Sequence, residues 1–149
     1  MKLVIQRVTG ASVTIGSKLH SEIGAGLLVL VGVETGDTQA DVDYLVRKTA
    51  MMRIFPDAEG VMNRSVIDAG GDVLAVSQFT LLASTRKGNR PSYVHAAPHE
   101  TAVPLYEAYC SQLAEAIGRP VRQGVFGADM KVALVNDGPV TIIIDSREC

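Results

Sequence analysis

The sequence predicts a single α+β domain, and three observations support this prediction. A chain of 149 residues has the length of one ordinary domain. Residues 2–33 hold four short segments rich in β-branched residues and separated by glycines, a pattern typical of antiparallel strands. Further along, the segments that follow Thr38 and Pro98 repeat apolar residues at helical spacing.

Composition narrows the classes of protein to consider. Apolar residues make up 47% of the chain and charged residues 20%, as in soluble globular proteins. No apolar run reaches the roughly 18 residues of a membrane span, so no membrane partner is expected. Two cysteines, Cys110 and Cys149, lack metal-ligand spacing, and we expect a reducing cytoplasmic location. Because the net charge is −2, any nucleic-acid contact must come from a local patch.

The first strands are predicted at Leu3–Val8, Ser12–Ile15, Leu19–Ile23 and Leu27–Val33. The last of these does not alternate between apolar and polar residues, so we expect it to be covered on both faces. Two glycine-containing segments here resemble nucleotide-binding loops without matching them. One residue too many separates Gly10 from Gly16 for a phosphate-binding loop, and the next glycine pair lacks the third glycine of a dinucleotide motif.

Two helices are predicted. Thr38 and Asp41 form a plausible capping box at the start of the first. Its apolar positions repeat at helical spacing: Val42, Leu45, Val46, Thr49 and Met52. The second helix is predicted over His99–Ile117, with Cys110 beside its apolar stripe as a core thiol.

Between the helices, an apolar strand beginning at Asp72 runs directly into Ser77-Gln78-Phe79-Thr80. Polar side chains at the end of a buried strand need hydrogen-bond partners. They are also a way to mount a functional site on a rigid element. The residues themselves leave both interpretations open.

Residues 77–99 carry Arg86, Lys87 and Arg90 and no acidic residue. Gly88 and Pro91 predict a loop around these cations. A basic loop suits contacts with phosphates, although such a loop can also be ordinary solvated surface.

Near the C-terminus, Asn136-Asp137-Gly138-Pro139 separates two apolar runs, Val132–Val135 and Val140–Ile144. We predict a tight turn between two buried strands. Asp-Gly favours a two-residue hairpin loop, whereas Gly-Pro suits a turn with a cis proline. The chemistry of the four residues leaves both turn types open, and it is also consistent with a turn that has no further role.

Common catalytic frameworks are missing from the sequence. Ser77 lacks the glycines of a nucleophile elbow, and no third ligand joins His95 and His99 in a zinc site. An enzyme of this composition must work through backbone donors, hydroxyl groups and groups of its substrate. That chemistry suits an already activated bond such as an ester.

Two segments together resemble the paired motifs of the D-aminoacyl-tRNA deacylases: Ser77-Gln78-Phe79-Thr80-Leu81 and Asn136-Asp137-Gly138-Pro139-Val140-Thr141. The similarity covers nearly the whole chain, including Ile5–Val8 and Phe126–Met130. It implies one domain over residues 1–149, an antiparallel β-barrel-like core with flanking helices, and a homodimer with sites at the subunit interface. The implied reaction is hydrolysis of the ester between a D-amino acid and the 3′-terminal adenosine of tRNA, a proofreading step in translation. No metal, cofactor or DNA partner is implied.

The resemblance also implies roles for the first motif. Ser77 and Gln78 line the site and offer backbone N–H groups to the substrate carbonyl, while Phe79 shapes the pocket. Thr80 has the position of a candidate nucleophile. Because no base is apparent beside it, we expect Thr80 to position the substrate while water attacks with help from the ribose 2′-OH.

For the second motif, the resemblance implies a cis Gly138-Pro139 bond that enters the site of the partner subunit. Its carbonyls would bind the α-ammonium group, and its backbone would exclude an L side chain. Glycine has no side chain to exclude, so glycyl-tRNA, including tRNA-Ala mischarged with glycine, is an expected substrate. Arg7 resembles the residue that braces this segment.

The remaining expectations concern tRNA. Phe126 is placed to stack on the terminal adenine, and Met130 to line the same pocket. Arg86, Lys87 and Arg90 are expected to contact backbone phosphates. A different class of protein, a nucleic-acid-binding module without hydrolytic activity, could use the same basic loop and aromatic residue.

Overall fold

The computed structural model describes residues 1–149 and has the predicted α+β class. Its strands are β1 Lys2–Ile15, β2 Lys18–Ile23, β3 Gly26–Gly32, β4 Phe55–Pro56, β5 Met62–Arg64, β6 Asp72–Ser77, β7 Val121–Gln123 and β8 Met130–Asp145. Its helices are α1 Gln39–Met51, α2 Val66–Ala69 and α3 His99–Ile117, with short 3₁₀ helices at Phe79–Leu82 and Ser146–Glu148. None of the helices has the length and apolar character needed to span a membrane.

The long strand β1 is the centre of the main sheet. Its first half pairs antiparallel with β3, and its second half pairs antiparallel with β2. Both halves also pair antiparallel with β8. The two strands predicted on either side of Gly10 are therefore one strand, and Gly10 marks a shift in register rather than a strand end.

The sheet is mixed, because β3, β6 and β7 run parallel to one another. Parallel neighbours require long crossover connections. Here α1 lies in the connection from β3 to β6, and α3 lies in the connection from β6 to β7. The two edge strands of the sheet, β2 and β7, come together. The Ser21 hydroxyl of β2 donates to the Gln123 carbonyl of β7 at 2.8 Å. The barrel-like core is thus confirmed, with antiparallel pairing around β1 and parallel pairing opposite it.

The predicted turn between two C-terminal strands is wrong. Residues 130–145 form one continuous strand, and both apolar runs pair with β1 rather than with each other. Val8 faces Asn136 and Gln6 faces Thr141, so residues 137–140 form a bulge opposite Arg7. The strand is not buried either, because alternate residues such as Ile143 are exposed to solvent.

The two long helices pack together and bury the apolar stripes that the sequence predicts. At the start of α1, the Thr38 N–H donates to the Asp41 carboxylate at 2.8 Å. Between the helices, the buried hydroxyl groups of Thr49 and Tyr109 form a hydrogen bond of 2.8 Å. Cys110 is buried, and burial raises its pKa to about 12. It is therefore a core thiol, as predicted, and not a nucleophile at neutral pH.

Candidate functional site

A cavity of about 420 Å³ lies at the carboxyl ends of the parallel strands β3, β6 and β7. Parallel strands end on the same side of a sheet, and ligands in such sheets bind outside the carboxyl ends. The walls are mainly apolar: Val31, Val33, Val76, Ser77, Gln78, Phe79, Ala97, His99, Ala102, Phe126, Gly127, Ala128, Asp129, Met130 and Val132. Five residues predicted to bind substrate from two distant parts of the chain therefore meet here.

The backbone donors of Ser77 and Gln78 differ from the expectation. The Gln78 N–H donates to the Val31 carbonyl at 2.7 Å and continues the pairing of β6 with β3. It is therefore not available to a substrate carbonyl, which corrects the predicted role of this group. Successive residues of a strand face opposite directions, so the Ser77 N–H faces the other edge of β6. The pairing of β7 with that edge ends at Gln123, opposite Ala75, which leaves the Ser77 position uncovered beside the cavity.

Thr80 lies in the 3₁₀ helix that follows β6 and is half-buried. Its hydroxyl accepts a short hydrogen bond from the side-chain amide of Gln78. No histidine, lysine or carboxylate bonds to this hydroxyl. An amide is not a general base at neutral pH, so the geometry orients the Thr80 hydroxyl without activating it as a nucleophile.

The ring of Phe126 is held in the cavity wall by two other aromatic rings. It meets His99 edge-on at 5.3 Å between centroids and Tyr106 at 5.8 Å. Tyr106 is itself fixed, because its hydroxyl donates to the Ala75 carbonyl at 3.0 Å, and burial raises its pKa. Met130 lines the same wall from the start of β8. Sequence reasoning considered His99 as a helix start and as an incomplete zinc site, and it missed the contact of this ring with Phe126.

The bulge that contains Gly138-Pro139 is fastened to β1 by a buried arginine. Arg7 donates through Nε to the Asp137 carbonyl at 3.1 Å and through Nη1 to the Ile54 carbonyl at 2.6 Å. The Asp137 carboxylate lies 3.4 Å from the same Nε. The Gly138-Pro139 peptide bond is cis, as the resemblance implies.

Gly138-Pro139 and Arg7 do not line the cavity of their own chain. The position of each motif can be compared along β1. Gly138 lies opposite Arg7. Ser77 pairs with Val31, and Val31 pairs with Leu3 of β1. The two motifs are thus offset by four residues, roughly 13 Å along the strands. Gly138 and Pro139 are both exposed, so the bulge projects outward.

The predicted basic loop projects from the surface next to the cavity. Ser84 and Ser92 close it with two backbone hydrogen bonds of 2.8 and 2.9 Å, and Arg86, Lys87 and Arg90 are exposed. A second cleft, of about 560 Å³, lies at its base and is lined by Ser84, Arg86, Lys87, Ser92, Val94 and His95. Its lining contains no acidic residue, which favours anionic ligands.

The protein is an α+β barrel with a mainly apolar cavity at its strand ends and, near it, a basic cleft that suits an anionic ligand. Comparison with known families identifies the family to which the chain belongs. A family model described as D-Tyr-tRNA(Tyr) deacylase matches residues 4–145, and the chain belongs to this family.

Relatives named as deacylases match nearly the whole chain, and solved structures match its fold. A D-aminoacyl-tRNA deacylase of Porphyromonas gingivalis is 61% identical over 147 residues, 99% of this chain and 98% of the relative. One from Parabacteroides distasonis is 59% identical over the same shares of the two chains. The structure of a c-Myc DNA Unwinding Element Binding Protein is 44% identical, with a TM-score of 0.92 over 97% of this chain and 98% of that one. A probable eukaryotic D-amino acid tRNA deacylase, 17% identical with a TM-score of 0.82 over 96% and 97%, supports the fold alone.

Proposed function

We propose that this protein hydrolyses the ester bond of D-aminoacyl-tRNA, releasing the D-amino acid and tRNA. Family membership over nearly the whole chain supports this activity. The observation that carries it is the single cavity that gathers Ser77, Gln78 and Phe79 of the first motif with Phe126 and Met130 of the segment 126–130. Such a cavity suits a terminal nucleoside held against an aromatic ring, with its ester beside a strand end.

In the proposed reaction the nucleophile is water, and the proton relay is a hydroxyl group of the substrate's own ribose. The terminal adenine stacks on Phe126, and the Ser77 N–H donates to the ester carbonyl as negative charge develops there. Water attacks the carbonyl carbon, and the bond to the 3′ oxygen breaks. The attacking water gives one proton to that oxygen through the neighbouring 2′-OH, and its second proton goes to solvent as the amino acid leaves as a carboxylate. Thr80 is not part of the cavity lining, so its hydroxyl, which accepts from the Gln78 side chain, positions the substrate through Gln78 and forms no covalent bond to it.

Selection of the D substrate is assigned to Gly138-Pro139 of a second copy of the chain. The exposed bulge and its roughly 13 Å offset along the strands from its own cavity favour a role in a partner's site. Its carbonyls bind the α-ammonium group, and its backbone clashes with an L side chain. Glycine escapes that clash, so glycyl-tRNA is also a substrate.

The test of function is release of amino acid from D-tyrosyl-tRNA, L-tyrosyl-tRNA and glycyl-tRNA. We expect cleavage of the D and glycyl substrates and little cleavage of the L substrate. Equal rates for the D and L forms would refute the chiral selection. Tight binding without release would favour the second candidate, a nucleic-acid-binding module. Because a 44% identical protein is named for binding DNA, single-stranded DNA belongs in that binding assay as a competitor.

Replacing Thr80 by Val is expected to lower the single-turnover rate by no more than about tenfold, because the change removes one oriented hydroxyl but no base. Thr80→Ser is the matched control, since it keeps the hydroxyl that accepts from Gln78. Both rates are measured with D-tyrosyl-tRNA at saturating enzyme. Complete loss of turnover in Thr80→Val with tRNA affinity intact would instead make Thr80 the nucleophile.

Reversing the charges of Arg86 and Lys87 to Glu is expected to weaken tRNA binding. It should also reduce the slope of log affinity against log salt by roughly 1–2, because each lost phosphate contact removes about one unit. The matched control is Arg47→Glu with Lys48→Glu, an exposed Arg-Lys pair on α1 away from both cavities. An unchanged salt slope in the loop variant would show that this loop is ordinary solvated surface.

A further inference from the structure

Two exposed aromatic rings lie between the cavity and the basic cleft. Phe79 lines the cavity, and its ring meets that of Tyr93 edge-on at 5.0 Å between centroids. Tyr93 sits between Ser92 and Val94, which both line the basic cleft. Solvent reaches 56% of Phe79 and 40% of Tyr93. No motif in the sequence assigns a role to Tyr93.

The segment that carries Tyr93 is fixed to the end of β3 by its backbone. The Thr35 N–H donates to the His95 carbonyl at 3.0 Å, and the Ala97 N–H donates to the Val33 carbonyl at 3.0 Å. The Tyr93 carbonyl accepts from the Ala96 N–H at 3.0 Å. The fold therefore fixes the backbone that carries this exposed side chain, which lowers the entropy cost when a ligand packs on the ring.

Charge indicates what the rings would bind. Arg86, Lys87 and His95 face the cleft beside Tyr93. The one acid in the cavity lining, Asp129, lies 3.4 Å from Lys131 on the outer surface. Proteins that hold single-stranded nucleic acid combine such a basic groove with aromatic rings on which bases stack.

We propose that Tyr93, supported by Phe79, is the stacking platform for the penultimate base of the tRNA acceptor strand, and that the basic cleft takes the adjoining backbone phosphate. The inference rests on the proposed function, because that function places the terminal adenosine in the cavity. From there the strand continues over Tyr93 into the cleft of Arg86 and Lys87. The site then binds at least two nucleotides, and not only the terminal nucleoside.

The test compares two substrates that differ by one nucleotide, D-tyrosyl-adenosine and D-tyrosyl cytidylyl-adenosine. The wild type is expected to show a higher kcat/KM for the dinucleotide ester. Tyr93→Ala should lose roughly ten- to a hundredfold on the dinucleotide, the range expected for one lost stacking contact, and most of the preference with it. Tyr93→Phe should keep the preference, because the ring remains. Tyr44→Ala, which removes an aromatic side chain from α1, is the control.

A dinucleotide preference that survives in Tyr93→Ala would overturn the proposal. Equal loss on both substrates would also overturn it, and sedimentation of the same variant would then show whether Tyr93 instead contacts a second subunit. Failure of the folded wild type to cleave D-tyrosyl-tRNA would refute the proposed function and not the platform, whereas failure on the two short esters alone would not refute that function. When no short ester is cleaved, the platform is tested by binding instead. The affinities of wild type and Tyr93→Ala are measured for cytidylyl-adenosine and for adenosine, both without an amino acid. The wild type should prefer the dinucleotide, and Tyr93→Ala should lose that preference.

Discussion

Gly138→Ala is expected to reduce hydrolysis of D-aminoacyl-tRNA by at least about a hundredfold while the barrel stays folded. Gly138 has φ of +129°, a backbone conformation that L residues rarely adopt. An added Cβ would lie 2.9 Å from Val140 Cγ2 and 3.3 Å from Arg7 Nη2. The bulge must therefore shift against its brace, and a displacement of about 1 Å in a positioning group can cost a hundredfold in rate.

The stability cost of the same substitution should be modest, about 1–3 kcal/mol, because the strain is confined to an exposed bulge. Gly16→Ala is the matched control, since Gly16 also has positive φ, at +63°, with no other atom within 4 Å of its added Cβ. The measurements are kcat/KM with D-tyrosyl-tRNA and the midpoint of urea unfolding. Activity near the wild-type level in Gly138→Ala would contradict a role for the bulge in substrate selection.

A complementation experiment extends this prediction to the proposed dimer. Gly138→Ala leaves the cavity intact, and Phe126→Ala leaves the bulge intact. In mixed dimers of the two chains, one of the two sites combines a native cavity with a native bulge, so coexpression should restore about a quarter of the sites. No gain over the separate variants would contradict a site shared between subunits.

The elements determined by local chemistry were predicted well. Helix α3 has the predicted bounds, His99–Ile117, because its apolar stripe lies within one segment that begins directly after Pro98. The Asp41 carboxylate at the start of α1 bonds to Thr38 as the capping pattern requires. The Leu27–Val33 run is buried in a strand covered on both faces, as its lack of alternation indicates.

The errors concern partners that are distant in sequence. The turn chemistry of residues 136–139 carries no information on the length of β1, whose 14 residues pair with both apolar runs and convert the expected hairpin into a bulge. Similarly, no local pattern shows that Val31 binds the Gln78 N–H. The two motifs identify the candidate site residues. The parallel strand ends that bring Ser77 beside Phe126 became evident only from the topology.

Gly26→Ala is expected to destabilise the protein by about 3 kcal/mol or more, because the added atom has no space and its neighbour is backbone. A Cβ at this position would lie 1.9 Å from the Asp72 carbonyl oxygen, where β3 and β6 begin their parallel pairing. This glycine belongs to the pair that resembles an incomplete dinucleotide motif. Its structural requirement is the close approach of two strands rather than of a ligand.

Gly24→Ala is the control for this prediction, since no other atom lies within 4 Å of its added Cβ. Its unfolding free energy in urea should stay within about 0.5 kcal/mol of the wild type. The two strands that meet at Gly26 end at the cavity, where β6 presents Ser77. Gly26→Ala should therefore also lower kcat under conditions where it remains folded, whereas Gly24→Ala should not. Equal unfolding free energies for the two variants would contradict this prediction. They would mean that β3 and β6 can separate at their start without loss of stability. The ends of these strands would then support the site less rigidly than their pairing implies.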